Sequence, residues 1–330
     1  MYTSIGITSN VQNERFSDAR GSKAQISQLV GSSLYRAFAD DSLKDEDNVA
    51  WVMTLDPRVR QDWIERIGWI RLVDRWAENE LLDDRCCEFQ QFRAGWEFLR
   101  DRGFVPQGHP RESMLTRMQA CWFGSKITRA DVLAVKSWDI YLQAISTYHQ
   151  PNLVVDSLEE YEQMLENLAG RFFQILPFLS PDLWQAACYF GMLDQFYNNL
   201  RDLYEDAQQG ICYFPREVLA RFGVTREEIL QSKCIRDRSY YQLIEFWLDE
   251  YLPRLRAKAN GFIEAKGLHP SWQILRDWSL ARYCRIEEIF RCCGFDYVCF
   301  PQYYWTAVAE DLKRWKLHSS TGVAWRSNPN

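Results

Sequence analysis

The chain has 330 residues, 47% of them hydrophobic and 25% charged, which excludes a disordered or fibrous protein. Its 39 Lys and Arg against 45 Asp and Glu give a formal charge of −6, so nucleic acid is not an expected partner: phosphate backbones are held by surplus cations. No window approaches ~18 uninterrupted apolar residues and the N-terminus lacks a basic-then-apolar signal layout, so a cytoplasmic protein is expected, with at most peripheral contact with a membrane.

Residues 1–24 are polar and without periodicity, which predicts a mobile tail. Residues 25–330 read as a single all-α domain, because long amphipathic runs recur and no sustained period-2 alternation interrupts them. Helices are predicted over Arg58–Asp83, Cys86–Arg102, Arg129–Tyr148, Ser157–Leu176, Pro181–Ala207, Pro215–Phe222, Arg238–Lys266, Ser271–Cys293 and Tyr303–Trp315. Asp56-Pro57 opens the first and Ser180-Pro181-Asp182 caps another, while Gly223, Gly267 and Gly294 stand at expected stops. Residues 103–110 form the clearest internal loop. The ten cysteines include the adjacent pairs Cys86-Cys87 and Cys292-Cys293 but no CxxC, and are expected to be reduced, mostly buried thiols. Four histidines, each isolated in sequence, give no signal for a His-based metal site or a Ser-His-Asp triad.

Two segments concentrate acids at helical spacing. In the first, residues 64–84, Trp63, Ile67, Ile70, Ala77 and Leu81 trace an apolar face with Asp74 in its middle. A buried carboxylate is costly unless paired or metal-bound. Arg71 and Glu78, at i−3 and i+4, supply either a salt-bridge set or an extended acidic site. In the second, residues 190–215, Phe190, Leu193, Tyr197, Leu200 and Tyr204 make an apolar stripe beside a polar one of Gln195, Asn198, Asp202, Glu205 and Asp206. Asp202 and Asp206 leave one face a single turn apart. That suits a hard divalent cation shared with a phosphate, and a solvated acidic face has the same pattern. The 14 Trp, 16 Tyr and 19 Phe suit a dry cavity whose ring faces stabilise positive charge, although rings at helical spacing also build cores.

The run Gln195, Asn198, Arg201, Asp202, Glu205, Asp206, Gly210, Tyr213 and Pro215 resembles, in register, the Q-x-x-N-x-x-R-D-x-x-E-D-x-x-x-G-x-x-Y-x-P stretch of the squalene/phytoene synthase family, the head-to-head isoprenyl diphosphate synthases. Residues 71–78 are similar to its first acidic motif, with Arg75 in place of an acid and Glu78 in place of the last Asp. Residues 156–170 and 281–296 resemble two further helices of that family. The resemblance implies an isoprenoid synthase helical bundle with a central cavity, Mg2+, and prenyl diphosphate substrates. It implies Asp74, Glu78, Asp202 and Asp206 as catalytic metal ligands with Asn198 beside them, and Arg71, Arg201 and Tyr283 as diphosphate-binding groups. Met164 stands where the family commonly has Tyr and Phe172-Phe173 where it has small residues ending in Gly, which places Met164 and Phe173 at the substrate pocket. Ile211 replaces an Arg.

The implied activity is Mg2+-dependent head-to-head joining of two C15 or C20 prenyl diphosphates. A terpene synthase acting on one diphosphate, and a non-catalytic isoprenoid-binding or scaffold relative, are the alternatives. No glycine-rich dinucleotide fingerprint is present, so NADPH use is not readable, nor is oligomeric state.

Overall fold

The computed structural model describes residues 51, 52, 54–82 and 86–321. Among them every regular element is helical, as the 3.6-residue periodicity predicts. The expected tail, residues 1–24, and the start of the domain lie outside the described residues.

Helix α1, Pro57–Ala77, begins where Asp56 accepts the Arg58 N–H at 3.0 Å and Pro57 takes the first helical position. It widens into a π turn, Glu78–Leu82. Helix α2, Glu88–Arg102, stops on Gly103 at φ 77°. Helix α3 (Glu112–Trp122) follows, and α4 (Arg129–Tyr148) is entered through a Thr128/Asp131 capping box. Helices α5 (Leu158–Leu165) and α6 (Arg171–Ile175) are joined by the π turn Glu166–Gly170. Then come α7 (Trp184–Arg201), α8 (Leu203–Gln208), α9 (Arg216–Phe222) and α10 (Arg226–Leu230). Helices α11 (Arg238–Glu245) and α12 (Leu252–Ile263) flank the π turn Phe246–Tyr251, and α13 (Pro270–Cys292) and α14 (Phe300–Thr321) complete the chain.

Several boundaries differ from expectation. The predicted helix Pro181–Ala207 is a 3-10 turn followed by α7 and α8, broken at Asp202, whose ψ of 2° leaves the helical range. Helices α3 and α10 fall in segments where the sequence predicts none. Gly267 is not a helix stop, since α12 already ends at Ile263 with Glu264 as its C-cap. The cysteines are free thiols as expected, but only Cys188, Cys212 and Cys234 are fully buried.

Helix α7 is apolar on most of its surface, with Phe190, Met192, Leu193, Phe196, Tyr197 and Leu200 all buried, and a helix apolar all round belongs at the centre. It packs on α12, on the turn Glu166–Gly170, on α6 and on α13. Two glycines permit the closest of these crossings. A Cβ on Gly191 would overlap the Ala169 carbonyl, and one on Gly170 would sit 2.6 Å from Cys188 Sγ. The same core continues between α1, α2, α3 and α4, where Trp96, Trp122 and Trp138 meet at ring-centroid distances of 5.6 to 6.2 Å. Much of the aromatic surplus is therefore core rather than cavity lining.

Candidate active site

The faces of α1 and α7 that carry the two acidic segments enclose a cavity of about 300 Å3, completed by the α5–α6 run, Tyr213 and α13. Helical spacing builds each wall. Ile67, Arg71 and Asp74 succeed one another at one-turn intervals along α1 to Glu78 at its C-cap, and Asp194 and Asn198 do so along α7 to Asp202 at its C-cap.

On the first wall Asp74 meets Arg71 Nη1 at 3.5 Å and His149 Nε2 at 3.2 Å. Ligand atoms of Asp74, Glu78 and His149 lie within 4.8 Å of one another. His149 is thus not isolated in space, contrary to its place in the sequence. Its burial works against the charged imidazole, but the hydrogen bond with Asp74 and the fields of Asp74 and Glu78 outweigh that and raise its pKa above the ordinary value.

On the second wall Arg201 grips Asp202 in a two-pronged ion pair, with both N···O distances 2.7 Å. The Arg201 guanidinium is therefore engaged by a neighbouring acid. Between the walls stands Tyr213. Burial raises its phenol above the ordinary tyrosine range, and Asp206, Asp74, Asp202 and Glu78 act on it in the same direction. Four carboxylates from two segments well over a hundred residues apart thus act on one hydroxyl through their fields.

Asn198 decides whether this cluster suits a cation. Its Nδ2 donates to Asp194 Oδ2 at 3.1 Å, which fixes the amide so that Oδ1 is a buried acceptor without a donor. Carboxylate oxygens with one orphaned carbonyl fit a hard divalent ion such as Mg2+, and His149, engaged by Asp74, brings the one nitrogen of the cluster.

Of the residues named from sequence, Arg71, Asp74, Glu78, Phe173, Asn198, Arg201 and Asp202 line the cavity. Asp206 lies one turn beyond its lining, within the field felt by Tyr213. Met164 is buried on α5 away from the cavity. Tyr283 is fully buried behind the α7 wall, where its hydroxyl donates to Asp194 at 2.6 Å. Sequence reasoning missed His149, Asp194 and Arg282. Asp194 stands one turn before Asn198, a usable signal, whereas nothing in the sequence pairs it with Arg282.

The squalene/phytoene synthase family model matches residues 44–270. A 15-cis-phytoene synthase of Enterobacter agglomerans is 24% identical over 197 residues, covering 58% of this chain and 65% of that relative. Phytoene synthase 2, chloroplastic, of Zea mays is 41% identical over 51 residues, 16% of this chain and 13% of its own length. The matches thus span less than two thirds of these curated relatives. Among solved structures, a dehydrosqualene synthase in complex with ligand superposes with a TM-score of 0.61 at 16% identity, covering 92% of this chain and 99% of its own. Squalene synthase HpnC from Alicyclobacillus acidocaldarius gives 0.61 at 14% identity, over 86% of this chain and 96% of its own. The all-α bundle is theirs in outline, and with the family model matched across both acidic walls the chain belongs to the squalene/phytoene synthase family.

Proposed function

We propose that this chain is a Mg2+-dependent prenyltransferase that joins two C15 or C20 prenyl diphosphates head to head and releases diphosphate. The observation that supports it is that Asp74 and Glu78 from one acidic segment and Asn198 and Asp202 from the other line one cavity, with Asp206 one turn beyond. Asp74 and Glu78 on one wall, and Asp202 and Asp206 with Asn198 Oδ1 on the other, would hold the metal ions. Mg2+, when bound, supplies Lewis-acid neutralisation of the departing diphosphate. Arg71, half-buried beside Asp74, would add positive charge for the same anion. The Tyr213 phenol, kept protonated by its surroundings, would donate a hydrogen bond to a diphosphate oxygen. Ile67, Ile70, Phe172, Phe173 and Leu176 would exclude water from the ionising carbon, and the phenylalanine faces would stabilise its positive charge.

One observation favours a second reading, a terpene synthase that ionises a single prenyl diphosphate on the same fold. A cavity of about 300 Å3 is at the small end of ligand pockets, roughly 300 to 1,000 Å3, and Phe172 and Phe173 occupy part of its wall. Incubating the purified chain with farnesyl or geranylgeranyl diphosphate and Mg2+, with and without NADPH, separates the two. A C30 or C40 product supports condensation, and a C15 or C20 hydrocarbon or alcohol supports the single-substrate reading. No release of pyrophosphate from either substrate refutes both and leaves a non-catalytic relative.

A further inference from the structure

The cavity wall contains a charged pair that the reaction outlined above does not use. Asp194 and Arg282 both line it, yet they are only 8% and 4% exposed. Arg282 Nη2 donates to Asp194 Oδ1, and the Tyr283 hydroxyl donates to the same oxygen at 2.6 Å. Tyr283 is itself held, its ring stacked on Tyr197 at 4.4 Å with an interplanar angle of 6°. The other carboxylate oxygen, Oδ2, is thereby aimed back along α7 at its one-turn neighbour Asn198, whose Nδ2 it receives at 3.1 Å.

We propose that Asp194 is a positioning residue: by accepting the Asn198 Nδ2, it turns the Asn198 Oδ1 outward as a ligand for the divalent cation. An amide can present either its oxygen or its nitrogen to a given point, and only the partner on its other side decides which. A carboxylate has no donor, so it can accept only the NH2 end. The Arg282–Tyr283 pair makes the choice firm, because two donors on Oδ1 leave Oδ2 as the oxygen that faces Asn198. This inference rests on the reading of Asn198 as a metal ligand given above.

The carboxylate-to-amide exchange D194N tests it. In D194N the amide oxygen is expected to stay with Arg282 and Tyr283, which places its NH2 against Asn198. Two NH2 groups cannot face each other, so Asn198 rotates and presents Nδ2, a donor, to the cation site. Removal of a group that orients a ligand typically weakens metal binding about 10- to 100-fold. Binding of Mn2+ with inorganic pyrophosphate, followed by loss of the free-ion Mn2+ EPR signal, reads this without turnover. The parent chain, D194N, N198A and D194N/N198A form a double-mutant cycle. The expected result is a loss of about 10-fold or more in both single variants, with no further loss in the double variant.

A D194N chain that binds Mn2+ like the parent while N198A does not would overturn the inference and leave the metal assignment standing. Normal binding by N198A would remove the metal assignment, and this inference with it, as would absence of binding by the parent chain. Additive losses in the double variant would show that Asp194 acts on the fold rather than through Asn198. Because D194N removes the Asp194 charge beside Arg282, D194N/R282Q removes both charges of the pair together and supplies the same comparison if the single variant does not fold.

Discussion

Substituting Gly191 by Ala tests whether the close crossing of α7 over the turn Glu166–Gly170 determines both stability and cavity shape. The added Cβ would overlap the Ala169 carbonyl and lie 2.9 Å from Phe173 Cδ2. A carbonyl in a facing helical turn cannot rotate away, so the two elements must separate. Overpacking of this kind costs up to about 3 kcal/mol. The better helix propensity of Ala returns about 1 kcal/mol, leaving a net loss of about 2 kcal/mol. With an unfolding entropy of about 2 cal/mol/K per residue over the chain, the melting temperature should fall by about 3 °C. Ala169 and Phe173 both line the cavity, so the displacement reaches the site as well. Gly261 on α12 is the control: a Cβ there meets only Ala186 Cβ at 3.7 Å, and G261A should raise stability by about 1 kcal/mol. Calorimetric melts of the two variants read the opposite signs. If G191A melts at or above the parent temperature, the crossing is not limited by the glycine and the argument for a tightly set cavity wall fails.

The exchanges D74N and D202N should each lower Mg2+-dependent pyrophosphate release from a prenyl diphosphate by at least about 100-fold, the scale on which groups that stabilise transition-state charge act; unchanged release in a coupled phosphate assay would remove that residue from the catalytic set. Gln174, fully buried, receives Ser137 Oγ at 2.8 Å and Arg171 Nη1 at 2.9 Å and donates to the Trp184 carbonyl at 2.8 Å. Its replacement by Leu should therefore destabilise the chain by about 2 to 4 kcal/mol in urea denaturation, and a loss under 1 kcal/mol would show the network to be dispensable. Burial raises the phenols of Tyr161, Tyr197, Tyr213, Tyr251 and Tyr283 above their unfolded value near 10, so the folded state holds protons that the unfolded state loses. Their contribution is complete below pH ~10 and is lost as pH rises beyond it. An absorbance titration at alkaline pH should show these groups ionising only together with unfolding, and reversible titration of all sixteen tyrosines near pH 10 would contradict their burial.

Much of this architecture is legible in the sequence because helical periodicity is a local property. The apolar stripe of Phe190, Leu193, Tyr197 and Leu200 announces α7, and all four residues are buried. The second acidic segment is legible for the same reason, since Asn198 and Asp202 are one turn apart wherever the helix goes. Helix α3 escaped because it has eleven residues, no side-chain N-cap and only Leu115, Met118 and Trp122 buried. The break at Asp202 is hidden because DLYEDA has ordinary helical composition, and the Arg201 to Asp202 ion pair that accompanies it is a matter of rotamers. What periodicity does not carry is which face meets which. His149 reaches Asp74 across 75 positions and Arg282 reaches Asp194 across 88, and only the packing of α4 and α13 brings them together. The positions of Met164 and Tyr283 relative to the cavity follow from the same packing.

The π turn that ends the first wall is held from outside the site. Glu80 is 8% exposed, and its Oε2 accepts the backbone N–H groups of Phe89 at 2.8 Å and Gln90 at 3.2 Å, at the start of α2. Helix α2 has no side-chain bond from its own N-cap residue, Cys87, so a carboxylate from the preceding turn does that work. Two residues after Glu78, this acid ties the end of the cavity wall to the next helix. Variation at Glu80 should therefore imitate variation in the reacting acids. Its loss would let Glu78 drift and depress turnover, and an activity screen alone would place it among the ligands. A joint measurement of folding and turnover would tell them apart, because replacing an acid whose charge is crowded by others in the cavity can leave stability intact or raise it, whereas replacing Glu80 strands two backbone donors at a helix start and lowers it. The chain thus has an acidic residue whose inheritance would follow that of the active site although no substrate touches it.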